Sequence, residues 1–313
     1  MYDVVGLGAC GIDYTAKVAV FADKDNKVTT DNLLLNEGGV TANNLVQCTR
    51  LGMKTAWCGA LGDDVPAEHL ISAFSAEGLT AFPIRLGQTQ VCWIIVNREG
   101  EHEIYIHPNA TSQLTPEMVE THFSKVIKQA KHFHTEAAAT PLVVALRGAE
   151  IAKHAHVKVF VDVDGDQAYL LRESGIGQLE DLLKLVRLAD VIKLSESAGK
   201  TLFNLSKHES ILKKLLETAD IAVITLGKRG CVLANKKEIA YCPGYSIECT
   251  DGTGAGDAFM GGLSFAILHN LSLKETGMFA NACGAFCCTH VGTRTSGTLS
   301  QVQQLINNQT EGI

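Results

Sequence analysis

The chain has 313 residues, of which 46% are hydrophobic and 19% are charged, and its formal net charge is −7. This composition is typical of a globular protein with one large domain and a small appendage, and it disfavours intrinsic disorder. The acidic balance, without a basic run, argues against a nucleic-acid partner.

Targeting and redox signals predict a cytoplasmic protein. No apolar stretch approaches the length of a membrane span, and no basic region precedes the first apolar residues, so we expect neither a membrane partner nor a signal peptide. The 10 cysteines include no C-x-x-C pair, which favours reduced, buried thiols. A metal cluster of Cys283, Cys287, Cys288 and His290 is a weak alternative, because these residues lack zinc-site spacing.

Residues 4–11 contain a G-x-G-x-x-G pattern after a short strand. A dinucleotide-binding turn requires a helix immediately after this pattern. Here apolar residues alternate with others over 12–20, which predicts a strand, so dinucleotide binding is kept only as a weak alternative. Asp13 lies at the junction, where a sheet edge can present a carboxylate to substrate hydroxyls. An Asp that only forms a turn is the other interpretation.

A glycine pair, Gly38 and Gly39, leads into a predicted helix that ends near Gly52. Glycines at such an entry let the backbone approach a ligand closely. Asn43, one turn into the helix, can both donate to and accept from a hydroxyl. A helix-surface position for Asn43 is the alternative.

Two predicted strands at 91–96 and 103–107 flank a turn at 97–100, which indicates a hairpin. With the strand at 12–20 and another near 28–35, they predict a small sheet outside the rest of the fold. Aromatic residues in this region, Phe21, Trp93 and Tyr105, could stack on a nucleobase, although cross-strand packing is the commoner role.

From Thr115 onward, predicted helices and strands alternate. A helix begins at Pro116, and strands at 157–163, 191–194 and 221–226 are separated by helical segments. Repeated units of this kind predict an α/β fold with a doubly wound, mostly parallel sheet flanked by helices. Ligands of such sheets gather beyond the carboxyl ends of the strands.

Residues 250–263 form a glycine-rich loop followed by a helical pattern. Such a loop leaves backbone N–H groups without partners at the positive end of the helix dipole, which is a site for phosphate. Asp257 places a carboxylate at this site, where it can remove a proton from an attacking hydroxyl. The alternative is that Asp257 only caps the helix. No glycine loop contains G-K-[ST], which argues against a Walker-type nucleotidase.

Two stretches resemble signatures of the ribokinase-like (PfkB) carbohydrate kinases. Residues 253–259, followed by Gly261 and Gly262, resemble the C-terminal signature, and residues 38–52 resemble the N-terminal one, G-G-x-x-x-N before a helix ending in R-L-G. The resemblance extends to the whole chain. It implies the ribokinase fold with a small β-sheet lid, ATP and Mg²⁺ as cofactors, and phosphoryl transfer to a hydroxyl of a sugar or nucleoside.

The resemblance also implies roles for individual residues. Catalysis is assigned to the base Asp257 and to the phosphoryl-binding residues Gly254, Ala255 and Gly256. Substrate binding is assigned to Asp13, Gly38, Gly39, Asn43 and Glu136. Nucleotide binding is assigned to Ser195, Thr225, Gly227, Gly254 and Asn281. Asp251 and Thr253 match positions that hold K⁺ in some members of the family.

One motif departs from the family. Members usually have N-x-x-E where this chain has Ser195 and Ala198, a pair tied to magnesium and phosphate. Glu196 is a candidate to compensate, and the carboxylate cluster at 162–166 is another candidate for a role with magnesium. The departure also suggests a rival function, a catalytically silent sugar sensor.

The domain prediction assigns residues 1–11, 37–86 and 111–313 to the kinase core and residues 12–36 and 87–110 to the lid. Exposed lid edges predict a homodimer that pairs through the lid strands. The predicted function is an ATP-dependent kinase for a small sugar or sugar derivative, with a nucleoside kinase of the same fold as the alternative.

Overall fold

Two β-sheets organise the computed structural model, which describes residues 1–99 and 102–310. The strands are β1 (Tyr2–Leu7), β2 (Gly11–Val18), β3 (Thr30–Gly38), β4 (Thr55–Leu61), β5 (Thr80–Arg85), β6 (Gln90–Val96), β7 (His102–His107), β8 (Ala130–Glu136), β9 (Lys158–Val163), β10 (Val191–Ser195), β11 (Ile221–Thr225), β12 (Cys231–Asn235) and β13 (Ile239–Cys242). The helices are α1 (Val40–Arg50), α2 (Val65–Glu77), α3 (Asn109–Ser112), α4 (Pro116–Met118), α5 (Ser124–Ile127), α6 (Leu142–His154), α7 (Gln167–Tyr169), α8 (Leu179–Leu188), α9 (Glu196–Phe203), α10 (His208–Leu215), α11 (Ala255–Leu268), α12 (Leu273–Cys288) and α13 (Leu299–Thr310).

The larger sheet has nine strands in the order β13-β12-β11-β10-β9-β8-β1-β4-β5. All neighbours from β11 to β5 pair in parallel, and only β12 and β13 are antiparallel. Its central strands are apolar runs buried on both faces, as a sheet covered by helices requires. The doubly wound, mostly parallel α/β prediction is therefore confirmed.

The smaller sheet, called the lid below, has four strands in the order β3-β2-β6-β7. The hairpin strands β6 and β7 pair antiparallel, and β2 pairs antiparallel with β3 and parallel with β6. Gly100 of the predicted hairpin turn lies outside the described residues. The strand after the G-x-G-x-x-G pattern is β2, so no helix follows those glycines as a dinucleotide fold would need.

Local sequence explains where α2 begins and ends. The Asp64 side chain accepts from the Ala67 amide at 3.0 Å, Pro66 occupies the first turn, and Gly78 ends the helix with a left-handed φ of 81°. The helix predicted from Pro116 is less regular, because a π-helical turn at Val119–Phe123 separates α4 from α5.

Two strands of the large sheet, β5 and β8, lack a clear sequence pattern. The sequence of β8 is A-K-H-F-H-T-E, yet His132 and His134 are buried and pack against Phe160 with ring centroids 4.6 and 4.7 Å away. The polar residues of this sequence therefore do not reveal that the strand is buried from His132 onward. Within the described residues, no helix is both long enough and apolar enough to cross a membrane.

Candidate active site

The glycine loop, residues 250–256, ends at the first turn of α11. Gly254 precedes the helix with φ +81°, and a Cβ at this position would lie 2.2 Å from the Thr293 carbonyl oxygen. Only glycine fits there, because a side chain would meet both an unfavourable φ and a backbone clash. The Ala255 amide donates to the Gly252 carbonyl oxygen at 3.3 Å, and the amides of Gly256 and Asp257 follow in the first turn, at the positive end of the helix, where a ligand can accept from them.

Two cavities meet at this loop. The core cavity, of about 610 Å³, is lined by residues of the large sheet, α11 and α12, and the lid cavity, of about 900 Å³, lies between the lid and the loop. Cys249, Gly252 and Gly256 line both. A molecule in one cavity can therefore approach a molecule in the other at the glycine loop.

Asp257 faces the lid cavity and not the core cavity. It is half-buried, and its Oδ2 accepts a hydrogen bond from Asn43 Nδ2 at 2.9 Å. Burial raises the pKa of Asp257 to about 8, the Asn43 hydrogen bond opposes that rise, and the carboxylate of Asp162 adds to it. A carboxyl group with such a pKa can take up a proton near neutral pH, which is what a general base must do.

A buried ion pair lies beside the loop. Lys193 and Asp162 are 1% and 2% exposed, and Nζ of Lys193 donates to Oδ1 of Asp162 at 2.6 Å. A Cβ added to Gly256 would lie 3.3 Å from that Nζ and 3.8 Å from Oδ2 of Asp164. Burial alone would lower the pKa of Lys193, but the Asp162 and Asp164 carboxylates outweigh it and raise the pKa. The ammonium group therefore stays charged beside the anion site.

Asn43 is held from two sides. Its Nδ2 donates to Asp257, and its Oδ1 accepts from Nε of Arg294 at 2.9 Å. Arg294 also donates to the Gly38 carbonyl oxygen at 2.9 Å. The predicted substrate residue Asn43 is only 4% exposed and does not line either cavity. It connects the base to the glycine pair.

Asp13 lies directly against the glycine pair. A Cβ at Gly38 would lie 2.2 Å from Oδ2 of Asp13, so glycine is required for the carboxylate to fit. Burial raises the pKa of Asp13 to about 6, while the Cys92 hydrogen bond and the Arg294 charge lower it. Gly39 begins α1 with φ 99°. The structure thus brings Asp13, Gly38, Gly39 and Asn43 together beneath the lid cavity.

Glu136, the remaining predicted substrate residue, lines neither cavity. Its side chain is 1% exposed, and it accepts from the amides of Ala138, Ala139 and Thr140 and from the Thr140 hydroxyl. These bonds hold the loop after β8, and they leave little capacity for a substrate hydroxyl.

Most of the predicted nucleotide residues line the core cavity. Thr225, Gly227 and Asn281 do so, and Asn281 Nδ2 also donates to the carbonyl oxygens of Cys242 and Pro243 at 3.1 and 3.0 Å. Ser195 instead caps α9, accepting from the Ala198 amide at 3.2 Å.

The candidate K⁺ residues are also brought together. Oδ1 of Asp251 accepts from the amide and hydroxyl of Thr253 at 2.9 and 2.7 Å, and Oδ2 accepts from the Gly292 amide at 3.0 Å. The carboxylate thereby ties the glycine loop to the turn at Gly292.

Glu196 is occupied elsewhere. Its carboxylate contacts His208 at 2.8 Å, Arg229 at 2.6 Å and Lys200 at 3.2 Å. The hydrogen bond from His208 lowers the pKa of Glu196 to about 2, with Lys200 and Arg229 adding to the effect. The Glu196 carboxylate is therefore bound by three neighbouring side chains, and its role in place of the N-x-x-E motif stays a prediction.

Sequence reasoning missed two charged residues of this site. Lys193 had a signal, because a lysine interrupts the otherwise apolar run of β10. Arg294 had none, since its contacts are with Asn43 and Gly38, more than 250 residues earlier in the chain.

The chain is similar in sequence to known proteins. A family model of the pfkB family carbohydrate kinases matches residues 1–299. Fructokinase-1 of Zea mays is 30% identical over 323 aligned positions, which cover 97% of each chain.

Solved structures share the fold. The ribokinase of Arabidopsis thaliana complexed with ribose and ATP superposes with a TM-score of 0.84 at 18% identity, over 97% of this chain and 98% of that one. The adenosine kinase of Sinorhizobium meliloti superposes with a TM-score of 0.82 at 20% identity, over 98% of this chain and 99% of that one.

Proposed function

The chain belongs to the pfkB family of carbohydrate kinases, and from this premise we propose that it transfers the γ-phosphoryl group of ATP to a hydroxyl of a free sugar, with Asp257 as the general base. One observation carries the proposal. Two cavities meet at the glycine loop, and the carboxylate of Asp257 faces just one of them. ATP occupies the core cavity, and the sugar occupies the lid cavity.

In the reaction, Asp257 removes the proton of the attacking hydroxyl as the new O–P bond forms. The bond between the γ-phosphorus and the β–γ bridging oxygen breaks in the same step, and ADP leaves with that electron pair. The amides at the start of α11 and the Lys193 ammonium group face the negative charge that the phosphoryl group carries between the two oxygens. Closing the lid over the cavity would exclude water, which otherwise competes for the phosphoryl group.

A sugar fits the lid cavity better than a nucleoside. From the lid, the cavity is lined by aliphatic and polar side chains, including Thr15, Leu34 and Ile94. Side chains alternate across a strand, so Trp93 lies on the opposite face, where it stacks on Tyr14 at 4.8 Å. The aromatic surface on which a nucleobase could stack therefore faces away from the lid cavity. The fructokinase relative makes D-fructose the first acceptor to test.

Residues near the loop also fit Mg²⁺. Oδ2 of the buried Asp162 has no hydrogen-bond partner among the described residues, and Asp164 lines the lid cavity next to the loop. Mg²⁺ is commonly held by one or two carboxylates together with substrate phosphates. We assign that role to Asp164, with Asp162 behind it. The ion would neutralise phosphate charge during transfer.

K⁺ is the second cation in the proposal. Asp251, fixed between Thr253 and Gly292, would present carboxylate oxygen to it. Replacing K⁺ by Na⁺ in the assay should then lower turnover, and equal rates in the two salts would remove this part of the proposal.

The test is an ADP-release assay with D-fructose, D-ribose, a keto-sugar acid and adenosine. ADP release that saturates with increasing concentration of one of the sugars supports the proposal. A higher rate of ADP release with adenosine than with any sugar would favour the nucleoside alternative. Thermal-shift measurements run alongside, because a bound ligand raises the melting temperature. Saturable sugar binding without ADP release would instead identify a silent sensor.

We also propose a homodimer in the cytoplasm. The lid face that points away from the cavity exposes Leu33 (55%), Leu35 (52%) and Tyr105 (60%), an apolar surface that a second lid could cover. The 10 cysteines are free thiols, which fits a reducing compartment. Light scattering of the purified protein tests the dimer, and Leu35→Asp should dissociate it.

A further inference from the structure

We infer that Arg294 is a positioning residue for the base, acting through Asn43 to aim the Asp257 carboxylate at the acceptor hydroxyl. The inference rests on the proposed function, in which Asp257 receives the proton. It adds a residue that lies 37 positions after the base in sequence and reaches it only through a side chain of α1.

The contacts form a continuous chain. Nε of Arg294 donates to Oδ1 of Asn43 at 2.9 Å, and Nδ2 of Asn43 donates to Oδ2 of Asp257 at 2.9 Å. A terminal nitrogen of Arg294 donates to the Gly38 carbonyl oxygen at 2.9 Å. One guanidinium group therefore fixes both the glycine pair and the asparagine.

This arrangement determines which way the Asn43 amide points. A guanidinium group can only donate, so the oxygen of Asn43 has to face Arg294 and the NH₂ group has to face Asp257. Without Arg294, the amide could turn and place its oxygen against the carboxylate, where two acceptors repel. The hydrogen bond that favours the ionised base would then be lost.

The protein holds Arg294 in place from both ends. Its guanidinium carbon lies 5.1 Å from the ring centroid of the buried Phe74. Its carbonyl oxygen accepts from Arg50 at 2.9 Å, and Arg50 also donates to the Ser296 carbonyl oxygen at 2.7 Å and pairs with Glu77. Arg50 thus supports the same segment without touching Asn43, which makes it a matched control.

Other charges around the base stay in place when Arg294 is replaced. Asp162 and Asp164 face Asp257 from the end of β9, Lys193 faces it from β10, and the Cys287 thiol faces it from α12. A change in the pKa of Asp257 in the Arg294 variants can therefore be assigned to the lost contact through Asn43, and not to a change in these neighbouring charges.

The experiment compares Arg294→Met, Arg294→Lys and Arg50→Met with the wild type. Asp257 is titrated directly, by ¹³C NMR of its carboxyl group in the ligand-free protein, and kcat/KM is measured with D-fructose as the probe. In Arg294→Met, we expect the pKa of Asp257 to rise and kcat/KM at pH 7 to fall about tenfold for each unit of that rise. Arg294→Lys should give a pKa and a kcat/KM between those of Arg294→Met and the wild type, because an ammonium group cannot replace the planar, forked guanidinium group.

Arg50→Met should lower the melting temperature yet leave the pKa of Asp257 unchanged. A double-mutant cycle in the pKa of Asp257 completes the test, because kcat/KM also reports the contact of Arg294 with Gly38. Asn43→Ala and Arg294→Met together should raise this pKa no more than Asn43→Ala alone. Additive rises in the pKa, or the same pKa in Arg294→Met as in the wild type, would overturn the inference. If Asp257→Asn keeps wild-type turnover, the proposed function fails instead. The NMR titration still decides the role of Arg294 in that case.

Discussion

The core cavity and the lid cavity are built from different parts of the chain. The core cavity takes all its lining from one stretch, residues 225–288, which folds onto one end of the large sheet. The lid cavity draws on residues from Thr15 to Thr293, contributed by the lid, α1 and the glycine loop. In the proposed function, ATP thus binds to a compact, local site, whereas the acceptor site depends on contacts between distant segments. Variants can separate the two sites, because each cavity has residues that the other lacks.

The largest effect is expected at Asp257, on the lid side of the loop. Asp257→Asn removes the proton acceptor, so transfer should fall roughly 10²–10⁴-fold. ATP affinity should stay the same, because Asp257 does not line the core cavity. Steady-state kinetics and ATP titration calorimetry check both points, and weakened ATP binding would show that the two cavities are not separate.

The same variant should change how stability depends on pH. The pKa of Asp257 is raised to about 8 from an ordinary 3.8, so the folded protein holds a proton that the unfolded chain releases between these values. Wild-type stability due to this group is therefore present at low pH and lost as pH rises towards 8. Asp257→Asn should gain more in melting temperature at pH 9 than at pH 5. An equal shift at both pH values would mean that burial does not raise this pKa.

Gly254→Ala should disturb both the core cavity and the lid cavity, because the glycine loop lines both. An added Cβ meets a left-handed φ and a carbonyl oxygen 2.2 Å away, so the loop must move. We expect transfer to be nearly lost and the free energy of unfolding to fall by about 1–3 kcal/mol. Gly252→Ala is the control for folding, because its Cβ would have nothing within 4 Å. Equal stability losses in the two variants would rule out the clash as the cause.

Lys193→Met tests the charge beneath the loop. It leaves the buried Asp162 carboxylate without its partner, which should cost about 3–5 kcal/mol in urea unfolding. Lys200, which is 46% exposed and pairs with Glu196, is the comparison, and Lys200→Met should cost less than about 1 kcal/mol. Adding Asp162→Asn to Lys193→Met should restore part of the loss.

The smallest effect is expected at the lid. Lys17 lines only the lid cavity, and Lys17→Met removes one donor from the acceptor site. The KM for the acceptor should rise a few-fold, matching about 0.5–1.5 kcal/mol for a hydrogen bond, with the KM for ATP unchanged. A change in the KM for ATP alone would show that Lys17 does not belong to the acceptor site.

The same contrast explains what could be predicted from sequence. The glycine loop and Asp257 lie within a few residues of one another, so a local motif was enough to identify them. Asn43 was identified too, as a candidate substrate residue, but its contacts with Asp257 and Arg294 could not be predicted. Its partner Arg294 is 251 residues away, and no local pattern connects the two.

The fold was predicted correctly where the pattern of apolar residues in the sequence matches the burial of the strand in the structure. The apolar runs of β9, β10 and β11 were recognised, and so was the lid hairpin. Strand β8 was missed because its buried histidines resemble a polar segment, and their hydrogen bonds to Ser264 exist only in the folded protein. The N-x-x-E departure illustrates the same limit, because only the structure shows that the Glu196 carboxylate is bound by Lys200, His208 and Arg229.

The most direct test of the account is the pH dependence of kcat/KM for the preferred acceptor. If Asp257 must be ionised to accept the proton, kcat/KM should rise about tenfold per pH unit at low pH and level off near pH 8. Asp257→Asn should lose that dependence. A wild-type profile that is flat between pH 5 and pH 9 would contradict the assignment of Asp257 as the base.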